Sequence, residues 1–236
     1  VRARWHRGDL RPDGRGPFGF HDGTSNLQDV RRTDPQRYED YLLHREEDLD
    51  VEGTHLAFRH YRIYPERMSA RVTIPDDRGG PTRVLSPEQI IGRCQTCGSV
   101  LDADDGHHLP RQFDEEQGAR AYQQSHLYKA NPRGRGTTNF GHDIIPPDAR
   151  MLRRSYPTSH PEGLLFLSFQ ADIQHGGFEF IHNEWLMSDF NGAPDPLLSP
   201  EAGLVEPTTG CYYFIPRRQN QVDEVLRVLC EAEPGF

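Results

Sequence analysis

Gly163-Leu164-Leu165-Phe166-Leu167-Ser168-Phe169-Gln170 is the stretch on which the fold turns. It is the strongest strand pattern in the chain. A continuous apolar run of this length predicts a strand buried on both faces. Side chains alternate along a strand, so Leu164 and Phe166 share one face, and Leu165 and Leu167 the other. Just upstream, Met151 to Tyr156 reads as a second strand. Downstream, Phe178, Ile181 and Trp185 recur at helical spacing, which makes Phe178 to Met187 an amphipathic helix. Cys211 to Pro216 is a final apolar strand and Gln219 to Glu231 a final helix.

Towards the start of the chain, Gly53 to Tyr64 reads as a strand, with Leu56, Phe58, His60 and Arg62 alternating with Ala57, Arg59, Tyr61 and Ile63. Ser86 to Gly92 reads as a short helix, with Ser86 as its cap and Pro87 in its first position. Residues 36–49 read as a polar helix and 119–130 as helical. Residues 102–118 are acidic and His-containing, an exposed loop, and 134–147 form a Gly/Pro-rich connection. Residues 1–35 are rich in Gly, Arg and Asp without an apolar period, and are expected to order only around something bound. In chain order this is strand, helix, strand, strand, helix, strand. The fold class is α+β, a split βαβ of the ferredoxin-like kind with an antiparallel sheet. No internal repeat appears at a period of roughly 20–50 residues.

The chain has 236 residues, of which 34% are hydrophobic, and a net charge of -9. Binding to nucleic acid along a broad face needs clustered cations, so no nucleic-acid partner is expected. Lys129 is the only lysine, and every other basic residue is Arg, whose planar fork suits carboxylates. No run of about 18 apolar residues occurs, so no transmembrane helix is expected. No secretory leader is visible. The chain starts with Val, so cytoplasmic placement and export after leader removal both stay open.

Three segments carry residues suited to chemistry. Gly19-Phe20-His21-Asp22-Gly23-Thr24-Ser25-Asn26 sets a carboxylate between glycines that permit tight turns and close backbone approach to a ligand. Ser125-His126-Leu127-Tyr128-Lys129-Ala130-Asn131-Pro132-Arg133 presents an imidazole near a helix end. An imidazole there can hold a metal, although spacing alone favours the plainer reading of a helix-end histidine. In Ala149-Arg150-Met151-Leu152-Arg153-Arg154-Ser155-Tyr156, adjacent arginines on a strand point to opposite faces, so one turns inward and the other stays in water.

Taken together, these segments and the Gly163–Gln170 strand resemble the dye-decolourising peroxidase family, from its GxxDG signature onward, over roughly Gly16 to Arg217. The resemblance implies a haem b peroxidase that reduces hydrogen peroxide and oxidises an organic reductant in one-electron steps. Asp22 and Arg153 would be catalytic. Asp22 would move the peroxide proton, while Arg153 would bind peroxide and stabilise negative charge as the O–O bond breaks. His126 would be the axial iron ligand. Gly23, Thr24, Asn131 and Arg133 would line the haem, Arg133 near a propionate, and Leu164 and Phe166 would form a dry ceiling. Asp189 lies where the family often carries a carboxylate bonded to the proximal histidine. Ser155 stands where some members have Asn.

Family members carry a ferredoxin-like domain before the GxxDG segment, and here only 18 residues precede Gly19. That half is expected to be missing or supplied by another chain, and an oligomer is expected. Residues 1–52 would form a distal-haem loop segment and 53–236 the ferredoxin-like haem-binding domain. Two other readings keep the scaffold: a haem-dependent biosynthetic or haem-handling protein, and a haem-free subunit completing a partner's peroxidase fold. Cys94-Gln95-Thr96-Cys97 has the spacing of a half zinc site, with His107 and His108 as distant completing ligands. Ordinary reduced thiols are the expected state.

Overall fold

The computed structural model describes residues 13–21, 27–46, 51–68, 72–74, 83–101, 124–130, 150–159, 162–188 and 194–217. Its main sheet is built from β1 (His44–Glu46), β2 (Val51–Ile63), β5 (Leu152–Ser159), β6 (Glu162–Gln170) and β7 (Val205–Pro216), while β3 (Val72–Ile74) and β4 (Arg83–Leu85) pair separately.

The four long strands lie in the order β7-β2-β6-β5, and every pairing is antiparallel. β6 sits between β2 and β5, and β2 between β7 and β6. This is the interleaving expected of two split βαβ units. β1 adds to the start of β2, pairing His44 with Gly53. The region read as one polar helix over 36–49 is therefore a helix, Pro35–Leu42, followed by β1. Asp34 caps that helix through its side chain, and Leu43 already has extended backbone. A helix at Gln28–Thr33 lies within the stretch read as loop.

β7 is longer than Cys211 to Pro216. A register shift opposite His60 and Tyr61 lets it run back to Val205. Thr208 is the extra residue there, and its hydroxyl donates to the His60 carbonyl at 2.9 Å. Pro207 beside it cannot donate to a ladder, a position tolerated at a bulge or sheet edge.

The Pro87–Ile91 helix starts as read. Ser86 Oγ accepts from Gln89 N–H, the Gln89 side chain accepts from Ser86 N–H at 2.8 Å, and Pro87 holds the first position. The helix ends at Gly92, left-handed at φ 91. The segment read as an amphipathic helix is wound as a π-helix over Phe180–Leu186, with Ile181, Trp185 and Leu186 buried. A core cluster of Met68, Ile90, Leu197 and Leu204 joins the short helices to the loop before β7. No helix among the described residues is long and apolar enough to cross a membrane. The final helix read at Gln219–Glu231 and the segments 102–118 and 134–147 lie outside the described residues.

Candidate functional site

His126 opens a short helix, His126–Ala130, that packs on the π-helix. Ser125 starts it, accepting from Tyr128 N–H through its hydroxyl and from Lys129 N–H through its carbonyl. Gly92 permits this placement, because a Cβ on it would collide with the Ser125 hydroxyl and press on Leu127. Lys129 is fully buried and donates to the Ser188 carbonyl at 3.1 Å, while Trp185 donates to the Lys129 carbonyl.

The His126 ring is fixed by a carboxylate. Nδ1 lies 2.8 Å from Oδ2 of Asp195, which has no exposed surface. The other Asp195 oxygen accepts from the N–H groups of Leu197 and Leu198, each at 2.9 Å. Burial would raise this carboxyl, but the charge and hydrogen bond of His126 and the two backbone donors hold it below the usual carboxylate value. An ionised Asp195 accepts a hydrogen bond from Nδ1–H and leaves the Nε2 lone pair directed elsewhere, the arrangement that prepares a histidine for a metal. Asp195 was not singled out in the sequence. Asp189, which was, lies outside the described residues.

His126 forms part of the wall of a cavity between sheet and helices. Arg153 of β5, Leu164 and Phe166 of β6, Tyr61 and Ile63 of β2, and Phe178, Ile181 and His182 line it as well. The pairing explains the selection. Opposed residues on antiparallel strands share a face, and Arg153 opposes Ser168, Phe166 opposes Arg59, and Leu164 opposes Tyr61. Arg153 is half-buried and Arg154 exposed, so the inward arginine is the first of the pair. Ser155 is exposed.

The cavity is about 110 Å³. A cleft of about 430 Å³ adjoins it, sharing Tyr61, His182, Leu198 and Val205. Two polar cavity residues escaped the sequence reading because their strand and helix patterns look like core. Burial pushes the Tyr61 phenol up to about 12, so it stays a neutral donor. Burial also lowers the His182 imidazole, keeping it neutral at pH 7. Beside Arg153 across the strand pair, Ser168 has a buried hydroxyl with no partner among the described residues.

Phe18 brings the loop before Asp22 to the cavity wall. Gly16 N–H donates to the Phe20 carbonyl and Gly19 N–H to the Gly16 carbonyl, with Gly19 left-handed at φ 81. Asp22, Gly23, Thr24, Asn131 and Arg133 lie outside the described residues, although Ala130, the residue before Asn131, is itself a cavity wall.

Residues 13–220 match the family model described as Dyp-type peroxidase, C-terminal. Among solved structures, a dye-decolorizing peroxidase from Bacteroides thetaiotaomicron is similar at TM-score 0.56 and 18% identity, over 92% of this chain and 56% of that one. A variant of DypB from Rhodococcus jostii in complex with heme gives TM-score 0.53 and 17% identity, over 91% of this chain and 56% of that one. A dye-decolorizing protein from V. cholerae gives TM-score 0.51 and 18% identity, with 92% and 56% covered. The chain thus spans little more than half the length of these structures, and at such identities the likeness is one of fold. No protein with a curated description matches the sequence.

Proposed function

Given that this chain belongs to the Dyp-type peroxidase family, we propose that it is a haem b peroxidase acting on hydrogen peroxide and an organic reductant. The observation that carries this reading is the cavity, in which an Asp195-braced His126 from the helix side meets Arg153, Leu164 and Phe166 from the sheet. The donor set fits haem. One imidazole has its second nitrogen engaged, the walls are mostly apolar, Arg153 turns inward, and the Ser168 hydroxyl across the strand pair from it has no partner among the described residues. The cavity and its adjoining cleft together offer room within the range of about 300–1,000 Å³ usual for ligand sites.

When bound, the haem would supply an iron centre that accepts electrons from the reductant one at a time. His126 would hold that iron through Nε2, and Asp195 would orient the ring and make it a stronger donor. Asn131 is next in sequence to Ala130 of the cavity wall and would line the haem, and Arg133 would pair with a propionate. Gly23 and Thr24 would let the backbone approach the group closely. Leu164 and Phe166 would exclude water. Asp22 would take the proton from one peroxide oxygen and return it to the other. A free aspartate, with a pKa of ~3.9, is a base in mild acid. Arg153 would hold the peroxide and stabilise the charge that develops as the O–O bond breaks. The division at residues 52 and 53, and an oligomer that covers the outer face of the sheet, belong to the same proposal.

The test is the ultraviolet-visible spectrum of haem-supplied protein before and after hydrogen peroxide. A Soret band that shifts on peroxide is expected, lost in His126→Ala and retained in Arg153→Leu with a response slowed by roughly 10²–10³-fold. A Soret band indifferent to peroxide would overturn the peroxidase and leave the haem-handling reading. Absence of any band would remove His126 as the ligand in this chain.

A further inference from the structure

Away from the cavity, the motif Cys94-Gln95-Thr96-Cys97-Gly98-Ser99 is folded into a single tight turn. Gly98 N–H donates to the Cys94 carbonyl and Cys94 N–H to the Ser99 carbonyl, both at 2.9 Å. Gly98 is left-handed at φ 79, a conformation that favours glycine. Residues three apart in a turn closed this way are neighbours, about 5–6 Å between Cβ atoms. The Cys94 thiol reaches the Cys97 sulfur, which also accepts from the side chain and N–H of Ser99. Cys97 is exposed and Cys94 half-buried, both as thiols.

The turn is clamped from outside. Arg15 donates to the carbonyls of Gln95 and Gly19, each at 2.6 Å. Arg93 donates to the Gly98 carbonyl at 2.7 Å, and His21 packs against Gly98. Backbone held this firmly has little conformational freedom left to lose when two of its side chains are joined. No group of three or more metal-ligating side chains forms among the described residues, and His107 and His108 lie outside them.

We propose that Cys94 and Cys97 are a peroxide-oxidised dithiol, a modification site in which Cys97 is the attacking sulfur and Cys94 the resolving one. The donors from Ser99 and Cys94 lower the Cys97 thiol from its ordinary value and favour the nucleophilic thiolate. The Cys97 thiolate attacks one oxygen of hydrogen peroxide. The O–O bond breaks, hydroxide leaves and takes a proton as water, and Cys97 becomes a sulfenic acid. The Cys94 thiolate then attacks that sulfur. The S–S bond forms, the S–O bond breaks, and a second hydroxide leaves as water. Two thiols give up two electrons and two protons, and one peroxide becomes two waters. No step uses haem, so this site stands or falls independently of the peroxidase reading.

The experiment takes the full chain, reduced and freed of reductant, and adds an equal amount of hydrogen peroxide. The expected result is an intact mass lower by two hydrogens, with peptide mapping placing the bridge at Cys94–Cys97. The same bridge should form in Cys211→Ser/Cys230→Ser. In Cys94→Ser, dimedone should trap a sulfenic acid at Cys97, whereas in Cys97→Ser dimedone should leave Cys94 unlabelled. A bridge to Cys211 or Cys230, oxidation of both sulfurs without a bridge, or trapping at Cys94 in place of Cys97 would each overturn the proposal. So would tightly held zinc that keeps both thiols from peroxide.

Discussion

Asp195 gives up all its contact with water and still stays easier to ionise than a free aspartate. Three donors, His126 Nδ1 and the N–H groups of Leu197 and Leu198, outweigh the cost of burying the charge. A depressed folded-state pKa stabilises the fold above the unfolded value, near ~3.9, and that contribution drains away as pH falls through the folded value. Urea midpoints should therefore fall between about pH 5 and pH 3, and Asp195→Asn should flatten that slope. An unchanged slope would mean that Asp195 binds its proton equally well in the folded and unfolded protein. The same variant should weaken haem retention by about 10–100-fold, the usual cost of losing a partner behind a metal-bound histidine.

His126 and Arg153, which line one cavity, were marked by the family resemblance of their segments, since spacing alone favoured a plain helix-end histidine and left Arg153 and Arg154 as a pair on a strand. Asp195 was not, because an aspartate in Gly-Ala-Pro-Asp-Pro reads as turn chemistry. Only the chain reversal after the π-helix, where Asp195 N–H meets the Leu186 carbonyl, carries it back to His126. Tyr61 was hidden for a similar reason, since it is one of an alternating strand set whose inward face becomes a cavity wall.

At the scale of elements, the histidine helix is placed by a glycine rather than by its own sequence. Gly92 combines a left-handed φ of 91 with a Cβ direction already occupied by Ser125 and Leu127. Gly92→Ala should destabilise the fold by about 1–2 kcal/mol from backbone conformation alone, with the Ser125 clash adding to it. Because Ser125 begins the His126 helix, the variant should also lose haem affinity. Thermal denaturation and haem titration together check this. A stability loss with unchanged haem binding would show that the helix absorbs the clash without moving His126. The Ser86 cap is the contrasting case: Ser86→Ala should cost about 1 kcal/mol and leave haem affinity alone. The Ser86 cap was legible from Ser-Pro. The π-helix was not, because Phe178, Ile181 and Trp185 satisfy an ordinary helical period as well.

The whole molecule has an unequal sheet. On the face with Leu164 and Phe166 lie the cavity, Phe178 and the π-helix. The opposite face carries Leu56 and Phe58 from β2, Leu165 and Leu167 from β6, Tyr156 from β5, and Tyr213 and Ile215 from β7, as the strand register dictates. The Leu164–Leu167 run of β6 is apolar on both sides for this reason: one side meets the cavity and the other an apolar outer face. That outer face is incompletely covered, with Tyr213 53% and Ile215 39% exposed. Exposed apolar residues grouped on one face favour contact with another protein surface. The purified chain should therefore associate at micromolar concentration, and light scattering on a sizing column should give a mass above 27.1 kDa. Tyr213→Asp with Ile215→Asp should shift it towards a single chain, because a buried unpaired charge opposes the contact. Neither residue lines the cavity, so the haem binding proposed for His126 should survive in the dissociated form. If the unaltered chain runs as a single copy with this face exposed, the partner surface is refuted. If the double variant assembles as before, the contact lies on another face.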